Sequence, residues 1–121
     1  MRWLAPEIIK PAHDATVMIM ESEPADVFAF SMLVIEVFTG ERPFDKQGNP
    51  GAARGIVEGG RPTLPENAEE VGLTPQVWEF LQKCWDEDPT KRPTIDKVVK
   101  KWESLTSKHL LSFIYIANPP T

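Results

Sequence analysis

The sequence holds one cysteine, Cys84, in 121 residues. No disulfide can close within the chain and no cysteine-based zinc cluster can be assembled, so a cytosolic or nuclear location is expected. Basic residues are outnumbered, 13 Lys and Arg against 18 Asp and Glu, and they form no long basic block. Without such a block the chain lacks the usual grip on a phosphodiester backbone, and nucleic acid is not an expected partner. The longest apolar stretch, Val27 to Phe38, falls short of the roughly 20 residues that cross a bilayer. Pro6 and Glu7 come too early for the apolar core of a secretory signal. His13 and His109 have no partners at metal-ligand spacing, and no metal site is expected. What remains is the length and composition of one small soluble domain.

The residues that are present read as helices. Pro6 to Lys10 can form one helical turn, with Pro6 at a first position where its missing N–H costs nothing and Pro11 as the stop. Residues 11–24 read as a loop. From Ala25 to Thr39 there is no Gly or Pro, and the apolar side chains between Val27 and Phe38 cover every face, interrupted by Ser31 and Glu36. A helix apolar all round is a central buried one, and Gly40 supplies its stop. A loop over 40–50 precedes a short helix over 51–58, which Gly59-Gly60-Arg61-Pro62 breaks, and 61–73 runs irregularly.

Thr74 carries a full set of start signals: an N-cap hydroxyl, Pro75 at the first helical position, and Leu73 placed to staple against Trp78. Val77, Leu81, Cys84 and Trp85 then share one face. Asp88-Pro89-Thr90 turns the chain, and Thr94 can cap a last helix with Ile95, Val98, Val99, Trp102 and Leu105 on one stripe. Cys84 and the tryptophans Trp78, Trp85 and Trp102 are expected in packing rather than in a ligand site. The tail contains the apolar run Leu110 to Ala117, which packs on the helices, meets a partner, or arises from incorrect exon joining.

Several short motifs occur together. Trp3-Leu4-Ala5-Pro6-Glu7 contains the A-P-E that closes the activation segment of protein kinases. Asp26-Val27-Phe28-Ala29-Phe30-Ser31 resembles the start of the kinase F helix, and Glu36 to Phe44 resembles its end and the segment that follows. Gly59-Gly60-Arg61-Pro62 with Leu64-Pro65 looks like the link after helix G. Cys84-Trp85, Asp88-Pro89 and Arg92-Pro93 are similar to the stretch between helices H and I. These stand in family order from residue 2 to about 105. Arg2-Trp3 and Cys84-Trp85 resemble the tyrosine-kinase and tyrosine-kinase-like groups.

The resemblance implies a mainly α fold, the helical C-lobe fragment of the α+β kinase fold around a central buried helix. Residues 1–106 would be a partial kinase domain, running from the end of the activation segment through helix I, and 107–121 an apolar tail. It implies a buried ion pair between Glu7 and Arg92, and an anchoring role for Asp26, whose carboxylate accepts catalytic-loop N–H groups in the family. Trp3 and Leu4 would form the wall for a peptide substrate. Ser31 in place of glycine and Phe28 in place of Trp or Tyr depart from the pattern, and a buried helix can absorb both by repacking.

Phosphoryl transfer in this family needs a Gly-rich loop, a strand lysine with its glutamate, an H-R-D-x-x-x-x-N loop and a D-F-G metal ligand. Gly48, Gly51 and Gly55 do not make G-x-G-x-x-G, His13-Asp14 lacks the intervening arginine, and no Asp-Phe-Gly occurs. No catalytic, cofactor-binding or metal-binding residue is therefore assigned, and ATP and Mg belong to the complete family domain. Truncation ahead of A-P-E would explain every absence together. One expectation is a fragment of a kinase acting on protein Ser/Thr, with Tyr as an alternative, inactive alone. The other is a non-catalytic helical module that binds kinase partners or substrates. Lacking the elements that cover the 27–38 helix, the isolated chain is expected to aggregate or to need a partner.

Overall fold

The computed structural model describes residues 2–12 and 22–105. The expected loop from 13 to 21, with His13 and Asp14, and the tail from 106 onward, with His109 and the Leu110 to Ala117 run, lie outside the described residues. Helix α1 is Pro6–Ala12, α2 Glu23–Thr39, α3 Asn49–Val57 and α4 Pro75–Cys84. A 3-10 turn, Pro89–Lys91, leads to α5, helical over 95–105. There is no strand among the described residues. The architecture is a helical cluster in which α2 packs on α4 and on the 3-10 turn, while α1 packs on α3.

Local chemistry moves three helix boundaries from their expected places. α2 begins two residues early because Ser22 caps it, its Oγ accepting the Ala25 N–H at 3.2 Å, and Pro24 fits the first turn. α3 likewise starts at Asn49, with Pro50 in its first turn. α1 runs one residue past Pro11, whose fixed φ suits a last turn and whose missing donor breaks a single bond there. At the other end of α2, Gly40 takes φ 74° and its N–H closes on the Glu36 carbonyl at 2.8 Å. That left-handed conformation is one glycine adopts freely. Gly60 is needed for closeness instead: a Cβ there would stand 2.8 Å from the Gly55 carbonyl oxygen.

α2 supplies the centre of the core. Phe28, Met32 and Ile35 meet Ile8, Ile9, Ile56, Leu73, Leu81 and Trp85, and each fully buried side chain of this size contributes about 1.5–3 kcal/mol. Val27 joins Phe80, Cys84 and Val98 in a smaller cluster on the far side. The helix is nonetheless not enclosed on every face, as its composition led one to expect. Leu33 and Val37, four residues apart, are 51% and 71% exposed, leaving an apolar strip along one side.

α4 follows its reading: Thr74 Oγ1 accepts the Val77 N–H, Leu73 is buried at the helix entry, and Val77, Leu81 and Cys84 face inward. Phe80 also turns inward. Trp78 and Trp85 meet edge to face at 5.2 Å. The α5 stripe is narrower than expected. Val98, Trp102 and Leu105 pack on the core, whereas Ile95 and Val99, a step around the helix, stay exposed. The indole of Trp102 sets this choice, lying edge-on to Phe30 at 5.5 Å and Phe38 at 6.1 Å. Ser31 needs no repacking, because its buried hydroxyl donates to the Phe28 carbonyl at 2.6 Å.

Candidate functional site

Glu7 sits in the first turn of α1 and Arg92 follows the 3-10 turn, 85 residues away. The fold brings them into a two-point pair: Arg92 Nη1 donates to Glu7 Oε1 at 2.6 Å and Nη2 to Oε2 at 3.0 Å. Arg92 also donates to the carbonyls of Pro24 and Asp86, at 3.0 and 2.8 Å. One guanidinium thus joins α1, the start of α2 and the turn after α4, in the forked geometry that arginine alone offers. The pair is asymmetric. The Arg92 side chain is fully buried, while that of Glu7 remains 30% exposed. Burial pushes the Glu7 carboxyl up, but the bonds from Arg92 and from its own backbone, with the charges of Arg92 and Arg61, outweigh it and hold the pKa below the ordinary value.

Two cations stand over the Phe28 ring. The Arg92 guanidinium carbon is 5.1 Å from its ring centroid and that of Arg61 is 5.0 Å away. Arg61 is held by the carbonyls of Trp85, Ile56 and Gly60. A phenyl ring at the position where the family usually has Trp or Tyr keeps the π face and dispenses with a polar edge that this packing would have to satisfy.

The segment before α1 is tied down by two contacts that the sequence reading missed. Arg2 is only 3% exposed, and its guanidinium donates to the carbonyls of Pro43 at 3.1 Å, Phe44 at 2.6 Å and Gln47. Those carbonyls belong to the turn between α2 and α3, where Phe44 takes a left-handed φ of 55°. Trp3 Nε1 donates to Glu36 Oε2 on α2 at 2.8 Å. Backbone acceptors leave no side-chain signature, so nothing in the sequence pointed from Arg2 to that turn. Glu36 could have been read as a polar residue placed in an apolar helix for a purpose.

Trp3 is thereby fixed half-buried with Leu4 exposed beside it. Trp3, Asp26, Ala29, Phe30, Leu33 and Glu36 line a shallow groove along α2. Asp26 is exposed at its rim and has no side-chain partner among the described residues. The structure therefore brings Trp3 and Asp26 to one groove and Glu7 to Arg92, at two separate places on α1 and α2. Cys84 is buried, and burial pushes its thiol up to about 12, which makes it inert.

The chain is 32% identical over 123 residues to the dual specificity protein kinase pyk3 of Dictyostelium discoideum, covering 98% of this chain and 8% of that protein. It is 33% identical to the serine/threonine-protein kinase VIK of Arabidopsis thaliana, covering 86% of this chain and 21% of that one. The scaffold protein ILK of Cavia porcellus is 32% identical, with 88% of this chain and 22% of that protein covered. The chain thus spans less than a quarter of the length of each of these relatives. Residues 1–102 match the sequence model described as protein tyrosine and serine/threonine kinase, and on that match, over a helical order and motif placement that agree with it, the chain belongs to the protein kinase family.

Proposed function

We propose that the chain is the peptide-facing helical part of a protein kinase domain whose activity is ATP-dependent phosphorylation of protein serine or threonine, with tyrosine as a further acceptor. The observation that carries this reading is the two-point pair of Glu7 and Arg92, at 2.6 and 3.0 Å, which ties the segment bearing Trp3 and Leu4 to the rest of the helices. Trp3, steadied by Glu36, and the exposed Leu4 would form the wall on which a substrate peptide rests. Asp26 would accept backbone N–H groups from the catalytic loop, a role that suits an exposed carboxylate at the start of a rigid helix. The names of relatives that act as dual specificity and serine/threonine kinases support the substrate class.

The 121-residue chain alone would transfer no phosphate, because its sequence contains no Gly-rich phosphate loop, H-R-D-x-x-x-x-N or D-F-G. The purified chain, given labelled ATP, magnesium and a generic basic protein, is expected to incorporate nothing. Incorporation that disappears in Arg92→Ala would overturn the proposal.

A second reading is a non-catalytic helical module that binds a kinase or its substrate. Similarity to the scaffold protein ILK and the exposed strip of Leu33 and Val37 favour it. Genomic sequence ahead of Met1 separates the two: an open frame encoding H-R-D and D-F-G supports the catalytic reading, and its absence the scaffold.

A further inference from the structure

A groove between α4 and α5 shares no lining residue with the one beside Trp3. Its floor is Phe80 and Pro93, and Lys83, Lys97, Lys100 and Lys101 stand around it, with no carboxylate among the lining residues. The chain as a whole carries a formal net charge of −5, so this is a local reversal of sign. Lys97, Lys100 and Lys101 occupy i, i+3 and i+4 on α5, where like charges oppose one another by about 0.2–0.5 kcal/mol per pair. No carboxylate among the described residues comes within salt-bridge distance of these three. Lys83 has only a loose, exposed contact with Glu79 at 3.9 Å. Asp96 and Glu103, on the same helix, make no salt bridge with these lysines among the described residues.

We propose that this groove docks an acidic peptide segment of a partner protein, its carboxylates met by the four lysines and an apolar side chain set on Phe80 and Pro93. Charge complementarity carries the choice of occupant. A long nucleic acid or an anionic bilayer would extend past the groove over a surface of net negative charge, which repels it. A short segment covers the groove alone, and the apolar floor offers a phosphate nothing.

The test uses the 121-residue chain held soluble as a fusion to a carrier, with the carrier alone as blank. The probe is a fluorescein-labelled peptide of about nine residues, glutamates around a central Leu-Phe, followed by anisotropy. Lys97→Glu/Lys100→Glu/Lys101→Glu is expected to weaken binding by about tenfold or more, and Lys46→Glu, on the far turn, to leave it unchanged. Because all three α5 lysines are exposed, an unaltered circular dichroism spectrum is expected for the triple variant. Equal loss in Lys46→Glu, no loss in the triple variant, or undiminished binding of a glutamine version of the peptide would each overturn the proposal. So would stronger binding of a single-stranded oligonucleotide or of phosphatidylserine vesicles, or competition by a second copy of the chain.

Discussion

Arg92 grips both oxygens of Glu7 while its own side chain is fully buried and that of Glu7 is not. Removing the acid therefore strands a cation out of water, whereas removing both partners does not. Glu7→Ala is expected to cost about 3–5 kcal/mol, and Glu7→Ala/Arg92→Met to be more stable than Glu7→Ala. Urea unfolding followed by tryptophan fluorescence at high dilution checks this. A double variant no better than the single one would mean that the pair contributes through shape alone.

The same pair gives acid sensitivity of a definite sign. The folded Glu7 pKa lies below its unfolded value, so its contribution is fully present above the unfolded pKa of about 4.3 and is lost as pH falls through the folded one. The difference in urea midpoint between the parent and Glu7→Gln should be constant near neutrality and shrink on acidification below about pH 4. A difference that grows on acidification would contradict the assignment.

Leu33 and Val37 form an apolar strip that the described residues leave open. The chain is expected to self-associate through it, and Leu33→Lys/Val37→Glu to restore a monomer by light scattering. A parent chain that stays monomeric at high concentration would show that the strip is covered.

Trp3 should depend on Glu36 for its position. Glu36→Leu removes the acceptor of a hydrogen bond to a charged group, a loss of about 1.5–3 kcal/mol before screening at this partly exposed site, while Glu36→Gln keeps an acceptor and should cost less. The emission of Trp3, isolated by replacing the other tryptophans with Phe, should shift to the red in Glu36→Leu only.

Cys84 offers a probe of the core. With its thiol pushed up to about 12 and no exposed surface, it should resist alkylation at pH 8 and react on unfolding in urea. Rapid modification of the folded chain would show that α4 opens locally.

The helices that could be read from the sequence were those whose start and stop residues act locally. Thr74 with Pro75, and Gly40 after the apolar run, needed no knowledge of neighbours. Boundaries failed where the cap was a commonplace serine, as at Ser22, or where a proline ended one reading and began another, as at Pro50. The α5 stripe failed because one period fits two adjacent faces, and Trp102 chose between them by finding Phe30 and Phe38. In the site, the closeness of Glu7 and Arg92 was legible only through motifs standing in order, since two charges 85 residues apart carry no signal of their own. Arg2 was illegible for a deeper reason: its partners are peptide oxygens, which every residue possesses.

Arg2 has three backbone acceptors, a buried Nε that none of them reaches, and no carboxylate among the described residues to neutralise it. Its charge is balanced by the dipoles of one short bend, whose Phe44 keeps an unfavourable backbone angle to supply one of them. That bend and the strip bearing Trp3 and Leu4 are therefore latched: neither can shift by small steps without leaving a cation unsolvated. Movement of the Trp3–Leu4 segment should occur as a single release, in which the bend relaxes and the arginine escapes to water together.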